Sequence, residues 1–340
     1  MKKTLLTICL TWMCFSLSAQ KIIDLSGKWS FSIDRQDNGE KEKWFSHTLN
    51  DCINLPGSMP EKLKGDEVTA KTQWTGSLYD SSYYYNPYME KYRKEGNIKF
   101  PFFLTPDKHY VGAAWYQKEV NIPADWKGER ILLFLERPHI ETTVWVNGQK
   151  TGMQNSLCVP HQYDITRYVR PGKCTITIRV DNRIKEINVG PDSHSITDQT
   201  QGNWNGIVGR ICLQTTPKTY FDDIQIYPEP EQKLARVKVV IKGTGTAKVK
   251  LSAESFNTDK KHIVPAIQQE IKLNKGVTET EMVLPMGNDM LLWDEFHPAL
   301  YKLKAEVTNG KKTEIKEIQF GMRRFEIKGK WFYVNGRKTQ

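Results

Sequence analysis

Three groups of side chains in this 340-residue sequence have the types and spacing to do chemistry. The first is Asp294-Glu295, adjacent carboxyl groups in "LWDEFHP". Carboxyl pairs do general acid and base work when they converge on one bond. Neighbouring side chains in a loop before a proline diverge instead, so a structural or solvated role is expected. The second is Asp192, Ser193, His194 and Ser195 with Asp198, the residue types of a Ser/His/Asp set. No strand–turn–helix elbow presents either serine as a nucleophile, and catalysis is not expected there. The third is "DQTQGNWNG", Asp198 to Gly206, which packs amides, a carboxylate and an indole into a loop entering a strand. Amides and carboxylates satisfy sugar hydroxyls, and an indole face stacks on the apolar C–H face of a pyranose. Asp198, Asn203, Trp204 and Asn205 are therefore the candidate ligand contacts. The competing reading places Trp204 in the core and the asparagines in turns.

The seven histidines are scattered, none paired with another at ligand spacing, so no metal site and no cofactor are expected. The mature chain would keep Cys52, Cys158, Cys174 and Cys212, whose spacing matches no metal motif. Four cysteines permit three pairings, and buried free thiols are the reading favoured here. Lys+Arg number 49 against 39 Asp+Glu, which raises nucleic acid as a partner. The lysines stand singly along alternating strands, as in "AKVKLSAES", with no basic cluster. Solvated strand faces explain that pattern, and no nucleic acid is expected.

Residues 1–20 read as a signal peptide, with Lys2 and Lys3 before the short apolar run "TLLTICLTWMCFSL" and small residues near "SLSAQ". Trp12 and Met13 stand where a lipid-attachment box wants small residues, so a soluble exported protein, periplasmic or extracellular, is expected. No later run is long and apolar enough for a membrane span.

The elements that must position the candidate residues are strands. "GKWSFSID" alternates, "RILLFLE" is apolar on both faces, and "TTVWVNGQKTG" runs into an Asn147-Gly148 hairpin turn. "CTITIRVDN" alternates, with Cys174 inward. Short strands with no helical period between them predict an all-β fold, an antiparallel sandwich or jelly roll. Pro217, Pro228 and Pro230 place a boundary near Thr216–Pro230, dividing a domain at 21–217 from a smaller β domain at 218–320. In the latter, "LYKLKAEV" alternates and Asn309-Gly310 turns the chain into "TEIKEIQF", where Ile315 falls out of step with Ile318 and predicts a bulge. The long aromatic segment from Thr72 to Tyr110 carries Trp74, Tyr79, Tyr83, Tyr84, Tyr85, Tyr88 and Tyr92. It is expected to pack on its own sandwich, with glycan stacking as the alternative. Residues 321–340 contain a further Asn335-Gly336 hairpin signal amid exposed apolar residues.

Several of these segments together resemble glycoside hydrolase family 2. "AAWYQKEVNIPADWKGERILLFLERPHIETTVWVNGQKTG", Ala113 to Gly152, is similar to its sugar-binding jelly roll. "YDITRYVRPGKCTITIRVDN", "NWNGIVGRICL" and "LWDEFHPALYKLKAEV" follow in the family's order, and "FGMRR…FYVNGRKT" is similar to its hairpin leading into a catalytic barrel. Two departures stand out: Cys174 where the family usually has Asn, and the long insertion between residues 64 and 110. The resemblance implies a galactose-binding-like jelly-roll sandwich followed by an immunoglobulin-like sandwich. It also implies a catalytic (β/α)₈ barrel beyond the chain, bearing the two glutamates, about 5–5.5 Å apart for retention or 6.5–9.5 Å for inversion. The expected function is the non-catalytic N-terminal region of an exported glycosidase acting on oligo- or polysaccharide, with the loop before "GIVGRICL" reaching toward the sugar. Its expected partners are a carbohydrate and the barrel, and the chain alone is expected to be inactive. The alternative is a stand-alone carbohydrate-binding or adhesion module.

Overall fold

The computed structural model describes residues 21–75, 85–99, 105–185 and 202–339, with Tyr83, Ser193, Thr197 and Asp198. The expected signal peptide lies outside the described residues, as do Asp192, His194 and Ser195, and Tyr79 and Tyr84 of the aromatic segment. The chain forms two compact units, Lys21–Thr216 and Pro217–Gln340.

The first unit has thirteen strands among the described residues. They are β1 (Ile22–Asp24), β2 (Gly27–Asp34), β3 (Asp51–Leu55), β4 (Gly57–Ser58), β5 (Asp66–Glu67), β6 (Lys108–His109), β7 (Ala113–Ile122), β8 (Arg130–His139), β9 (Glu141–Val146), β10 (Gln149–Asn155), β11 (His161–Asp164), β12 (Gly172–Asp181) and β13 (Gly206–Thr216). One sheet runs β1-β13-β8-β11 with β4 joined to β13, the other β10-β9-β12-β7-β2-β3, and their ladders are antiparallel. Trp29, Phe31, Tyr116 and Ile178 from one sheet and Leu133, Leu135, Ile211 and Leu213 from the other share one core. This is the jelly-roll sandwich that the short alternating strands predict.

The period-2 pattern breaks where both faces are covered. All six residues of β9 are buried, because Val144 and Val146 face the core while Trp145 joins Trp115 and Leu49 in a second cluster. Phe45 stacks on Trp145 at 5.2 Å, so the segment after β2 forms a lid of aromatic rings over that sheet. Central β8 explains the continuous apolar run, with Ile131, Leu132, Leu133 and Leu135 buried between β13 and β11. Asn147 at φ +50° and Gly148 at φ +76° make the predicted turn from β9 to β10.

The second unit contains β14 (Tyr220–Glu229), β15 (Leu234–Phe256), β16 (Ile263–Pro285), β17 (Leu300–Asn309) and β18 (Lys312–Phe320). β15 pairs with β16 along its length, but on its other edge it exchanges β14 for β17 around Gly243–Gly245, where its register with β16 shifts. Both halves of this long ribbon contribute to one core, Val237 and Ile241 packing with Val249, Leu251, Leu303 and Val307. The result is an immunoglobulin-like sandwich. Tyr301, Leu303, Ala305 and Val307 alternate inward as predicted. The bulge predicted at Ile315 is absent: β17 and β18 pair without a register shift from Tyr301↔Phe320 to Asn309↔Lys312. Ile315 is instead a half-buried residue on the face opposite Phe320, which an edge strand tolerates.

The last residues form a three-stranded sheet, β19 (Phe325–Lys328), β20 (Trp331–Val334) and β21 (Arg337–Thr339). Phe325, Ile327, Trp331 and Phe332 are exposed, whereas Val334 is buried and Met322, just before β19, belongs to the sandwich core. Asn335 ties the sheet to the sandwich by donating its Nδ2–H to the Trp293 carbonyl at 3.0 Å.

Candidate functional site

The loop that enters β13 is built on one glycine-permitted contact, a buried amide and a carboxylate. At Gly206 (φ +145°) a Cβ would lie 2.5 Å from the Gly57 carbonyl oxygen, so only glycine lets β13 meet β4. One residue earlier, Asn205 is wholly buried and its amide is fully used. Its Oδ1 accepts from the Tyr116 hydroxyl at 2.8 Å, and its Nδ2 donates to the Gly112 and Val180 carbonyls, both at 2.9 Å. Burial holds the Tyr116 phenol well above its ordinary pKa, which keeps it a donor. Asn205 stitches loop to core and has no group left for a ligand.

Asp198 is also buried. Its Oδ1 accepts the Asn203 N–H and its Oδ2 the Thr75 N–H, both at 2.6 Å, while His109 Nε2 lies 3.4 Å from Oδ2. Trp74 meets the His109 ring edge-on at 4.8 Å. The carboxylate therefore closes the loop against the start of the aromatic insertion. Asn203 donates Nδ2–H to Thr75 Oγ1 and to the Asn182 carbonyl, each at 3.0 Å, and its Oδ1 is buried with no hydrogen-bond partner.

Half-buried Trp204 stacks on His139, the last residue of β8, with ring centroids 4.5 Å apart and 18° between planes. The cross-strand pairing of Gly206 with His139 brings them together. His139 Nε2 is the second buried atom of this neighbourhood without a partner. Burial pushes the His139 pKa down to about 4, against a smaller opposing pull from Asn203, so the imidazole is neutral at physiological pH. Asn203 and Trp204 thus flank a corner that offers an amide oxygen, an imidazole nitrogen and an indole, a set suited to hydroxyl groups and not to proton transfer.

Asn182, which follows β12, places this loop. Its Oδ1 accepts the Gly112 N–H and its Nδ2 donates to the Tyr110 carbonyl, both at 2.8 Å, while its own carbonyl receives Asn203. The end of β12 is pinned by a neutral network of three cations, Arg179, Arg183 and Lys185, and three carboxylates, Asp37, Glu141 and Asp181. Burial alone would raise the Asp181 pKa, but hydrogen bonds from Arg183 and Lys185 and the charge of Arg179 hold it well below the usual carboxylate range. Sequence reasoning missed His139, His109 and Asn182 as parts of the corner. Only the register of β8 with β13 and the loop between β6 and β7 bring them to it.

The other groups lie elsewhere. In the second unit, Asp294 Oδ1 accepts the N–H groups of Phe296 and His297 at 2.8 and 2.7 Å, shaping its own turn. Glu295 pairs with Arg337 at 2.5 Å. These two carboxylates serve separate local structures, as the adjacent pair implies. Of the aromatic insertion, Tyr83 is buried with its hydroxyl donating to the Tyr92 carbonyl at 2.8 Å, while Tyr85 and Tyr88 are exposed. The four cysteines among the described residues are free. Cys174 and Cys212 are buried, but Cys52 and Cys158 are exposed, which corrects the expectation of four buried thiols. No group of three or more His, Cys, Asp or Glu among the described residues could hold a metal ion, and no helix among them is long and apolar enough to cross a membrane.

Residues 22–217 match the family described as "Glycosyl hydrolases family 2, sugar binding domain", and residues 219–323 match "Glycosyl hydrolases family 2". The chain is 24% identical to the β-glucuronidase of Paenibacillus borealis, over 94% of this chain and 48% of that protein. It is 24% identical to the β-glucuronidase of Homo sapiens, over 92% and 46%. It is 23% identical to the β-galactosidase large subunit of Latilactobacillus sakei, over 92% and 48%. Among solved structures, the apo β-glucuronidase of Ruminococcus gnavus shares the fold, with a TM-score of 0.60 at 18% identity over 94% of this chain and 48% of that one. The chain spans about half the length of these relatives. By the family match across both of its units, the chain belongs to glycosyl hydrolase family 2.

Proposed function

We propose that this chain is the non-catalytic, sugar-contacting portion of an exported glycosidase of the β-glucuronidase and β-galactosidase kind. The observation that carries the reading is the corner at Trp204. There Asn203 Oδ1 and His139 Nε2 are buried and face each other, near enough for Asn203 to pull on the His139 proton but without hydrogen-bond geometry, beside a half-buried indole. An unpartnered buried polar atom costs about 1–3 kcal/mol, so both atoms favour a bound hydroxyl or water. A sugar supplies that hydroxyl together with a C–H face for the ring. Asp198 acts at one remove, holding Asn203 by its backbone. The acid and base of the hydrolysis come, in this reading, from a barrel domain, and the two sandwiches support it.

The test is an assay of the purified chain against a panel of nitrophenyl β-glycosides. The expected result is no steady turnover. Turnover that disappears in Asp294→Asn or Asp198→Asn would overturn the non-catalytic assignment. Binding without turnover, in a chain that needs no further domain in its host, would favour the stand-alone carbohydrate-binding module.

A further inference from the structure

The free edge of the first unit carries a hollow that plays no part in the Trp204 corner. It has a volume of about 360 Å³ and is lined by Lys28 of β2, Cys52, Ile53 and Asn54 of β3, and Lys62 and Lys64 of the turn after β4. Lys28 and Asn54 stand directly opposite each other in the β2–β3 ladder, and Ser30 opposite Cys52, so these side chains share the face turned away from the core. Ile53 also borders the hollow, but it turns its side chain into the core on the other face of the sheet. A volume of this size holds a monosaccharide unit, at the small end of ligand sites.

The charges around it do not cancel. Lys62 pairs with Glu61 and Lys64 with Asp51, each at 2.6 Å. Those pairs hold both carboxylates below their ordinary pKa, so both are ionised at neutral pH. Lys28 lines the same hollow and has no carboxylate partner among the described residues. Three ammonium groups against two carboxylates leave one positive charge. Two of the lysines are held in place by their ion pairs, which limits the ordering a ligand must impose. The Asn54 amide and the Cys52 thiol are free to meet hydroxyl groups. One unbalanced cation beside neutral polar groups fits a ligand with one negative charge and several hydroxyls.

We propose that this hollow is a second saccharide site, taking a sugar that bears a single carboxylate, with Lys28 as the carboxylate's partner and Asn54 as a hydroxyl contact. The inference rests on the carbohydrate-binding reading of this unit but not on the Trp204 corner. A site at the sheet edge would let the protein hold one acidic residue of a polysaccharide while another part of the chain is engaged elsewhere.

The two exposed cysteines make the test site-resolved. Cys52 lines the hollow, whereas Cys158 lies in the β10–β11 connection and does not. Alkylation of each by iodoacetamide is followed by peptide mass spectrometry on the full chain. The methyl glycoside of galacturonic acid, a monosaccharide with one carboxylate, at ten times its dissociation constant should slow Cys52 modification about tenfold by occupancy and leave Cys158 unchanged. Its neutral methyl ester and sodium sulfate at the same concentration should give no protection. In Lys28→Glu the protection should vanish, while in Trp204→Ala it should persist. Unchanged Cys52 rates with the acidic sugar, or equal protection by the ester, would overturn the proposal. Equal protection by sulfate would mean an adventitious ion only. Persistence of protection in Lys28→Glu would overturn the assigned role of that lysine. If the acidic sugar protects Cys52 but nothing binds at Trp204, the corner reading fails and the hollow stands.

Discussion

Asn203 donates its side-chain N–H to the backbone carbonyl of Asn182 at 3.0 Å, joining the loop before β13 to the end of β12. Asn182 in turn grips the backbone on both sides of Val111, through the Gly112 N–H and the Tyr110 carbonyl. One amide therefore sets the position of two loops that border the Trp204 corner. Asn182→Ala removes both side-chain bonds and leaves two buried backbone groups unpaired. The expected cost is roughly 2–4 kcal/mol, a fall of about 5–15 °C in the melting temperature of a domain of this size. A scanning calorimetry trace within about 1 °C of the parent would mean that Asn182 is not the hub described.

His139 makes stability depend on pH in a predictable window. Its pKa is depressed to about 4 in the folded chain, from about 6.5 when unfolded. The unfolded state thus binds the proton first. Stability from this group is complete above pH 6.5 and is lost as pH falls toward 4, by about 3 kcal/mol in all. Asp181, with its folded pKa depressed below the unfolded value near 3.9, adds a further loss only at more acidic pH. Urea midpoints measured from pH 7.5 to 4.5 should decline in the parent and decline less steeply in His139→Gln, the remaining slope coming from buried His161, whose pKa burial also lowers. Parallel slopes for the two proteins would contradict the assignment.

The joint between the two units is narrower than the prolines suggest. β13 ends at Thr216 and β14 begins at Tyr220, so Pro228 lies within a strand and Pro230 opens a short turn of the second unit. Only Pro217–Thr219 remain between strands, and Lys218 is exposed there. Limited trypsin should cut after Lys218 and release two β-rich fragments. Early cleavage inside β8, or at Lys233 before Lys218, would contradict this placement.

Strands with one covered face were legible in the sequence, because alternation reports burial directly. "LYKLKAEV" shows its inward residues by alternation, and "CTITIRV" does so too, although its outer-face Thr177 and Arg179 are also buried. Where a second layer covers the outer face, as the Trp44, Phe45, Trp115 and Trp145 cluster does over β9, alternation vanishes and the pattern no longer identifies the layer. The candidate loop was legible as a concentration of amides around an indole. Its division of labour was not. Asn203 and Asn205 look alike in sequence, yet one retains an unpartnered oxygen and the other spends every polar atom on Tyr116, Gly112 and Val180. That difference comes from partners 21 to 128 positions away, which no local pattern encodes.

The central claim is that the corner formed by Asn203, Trp204 and His139 contacts sugar. Equilibrium titration of the chain with nitrophenyl β-glucuronide and β-galactoside, followed by tryptophan fluorescence and calorimetry, tests it most directly. The account predicts saturable binding of at least one of them with a dissociation constant of about 0.1–10 mM. Trp204→Ala should weaken it about tenfold, near 1.4 kcal/mol, with the fold intact by circular dichroism. Saturable binding that is unchanged when Trp204→Ala is added to Lys28→Glu, in which the edge hollow no longer takes the glucuronide, or no saturable binding by the parent chain, would contradict the account.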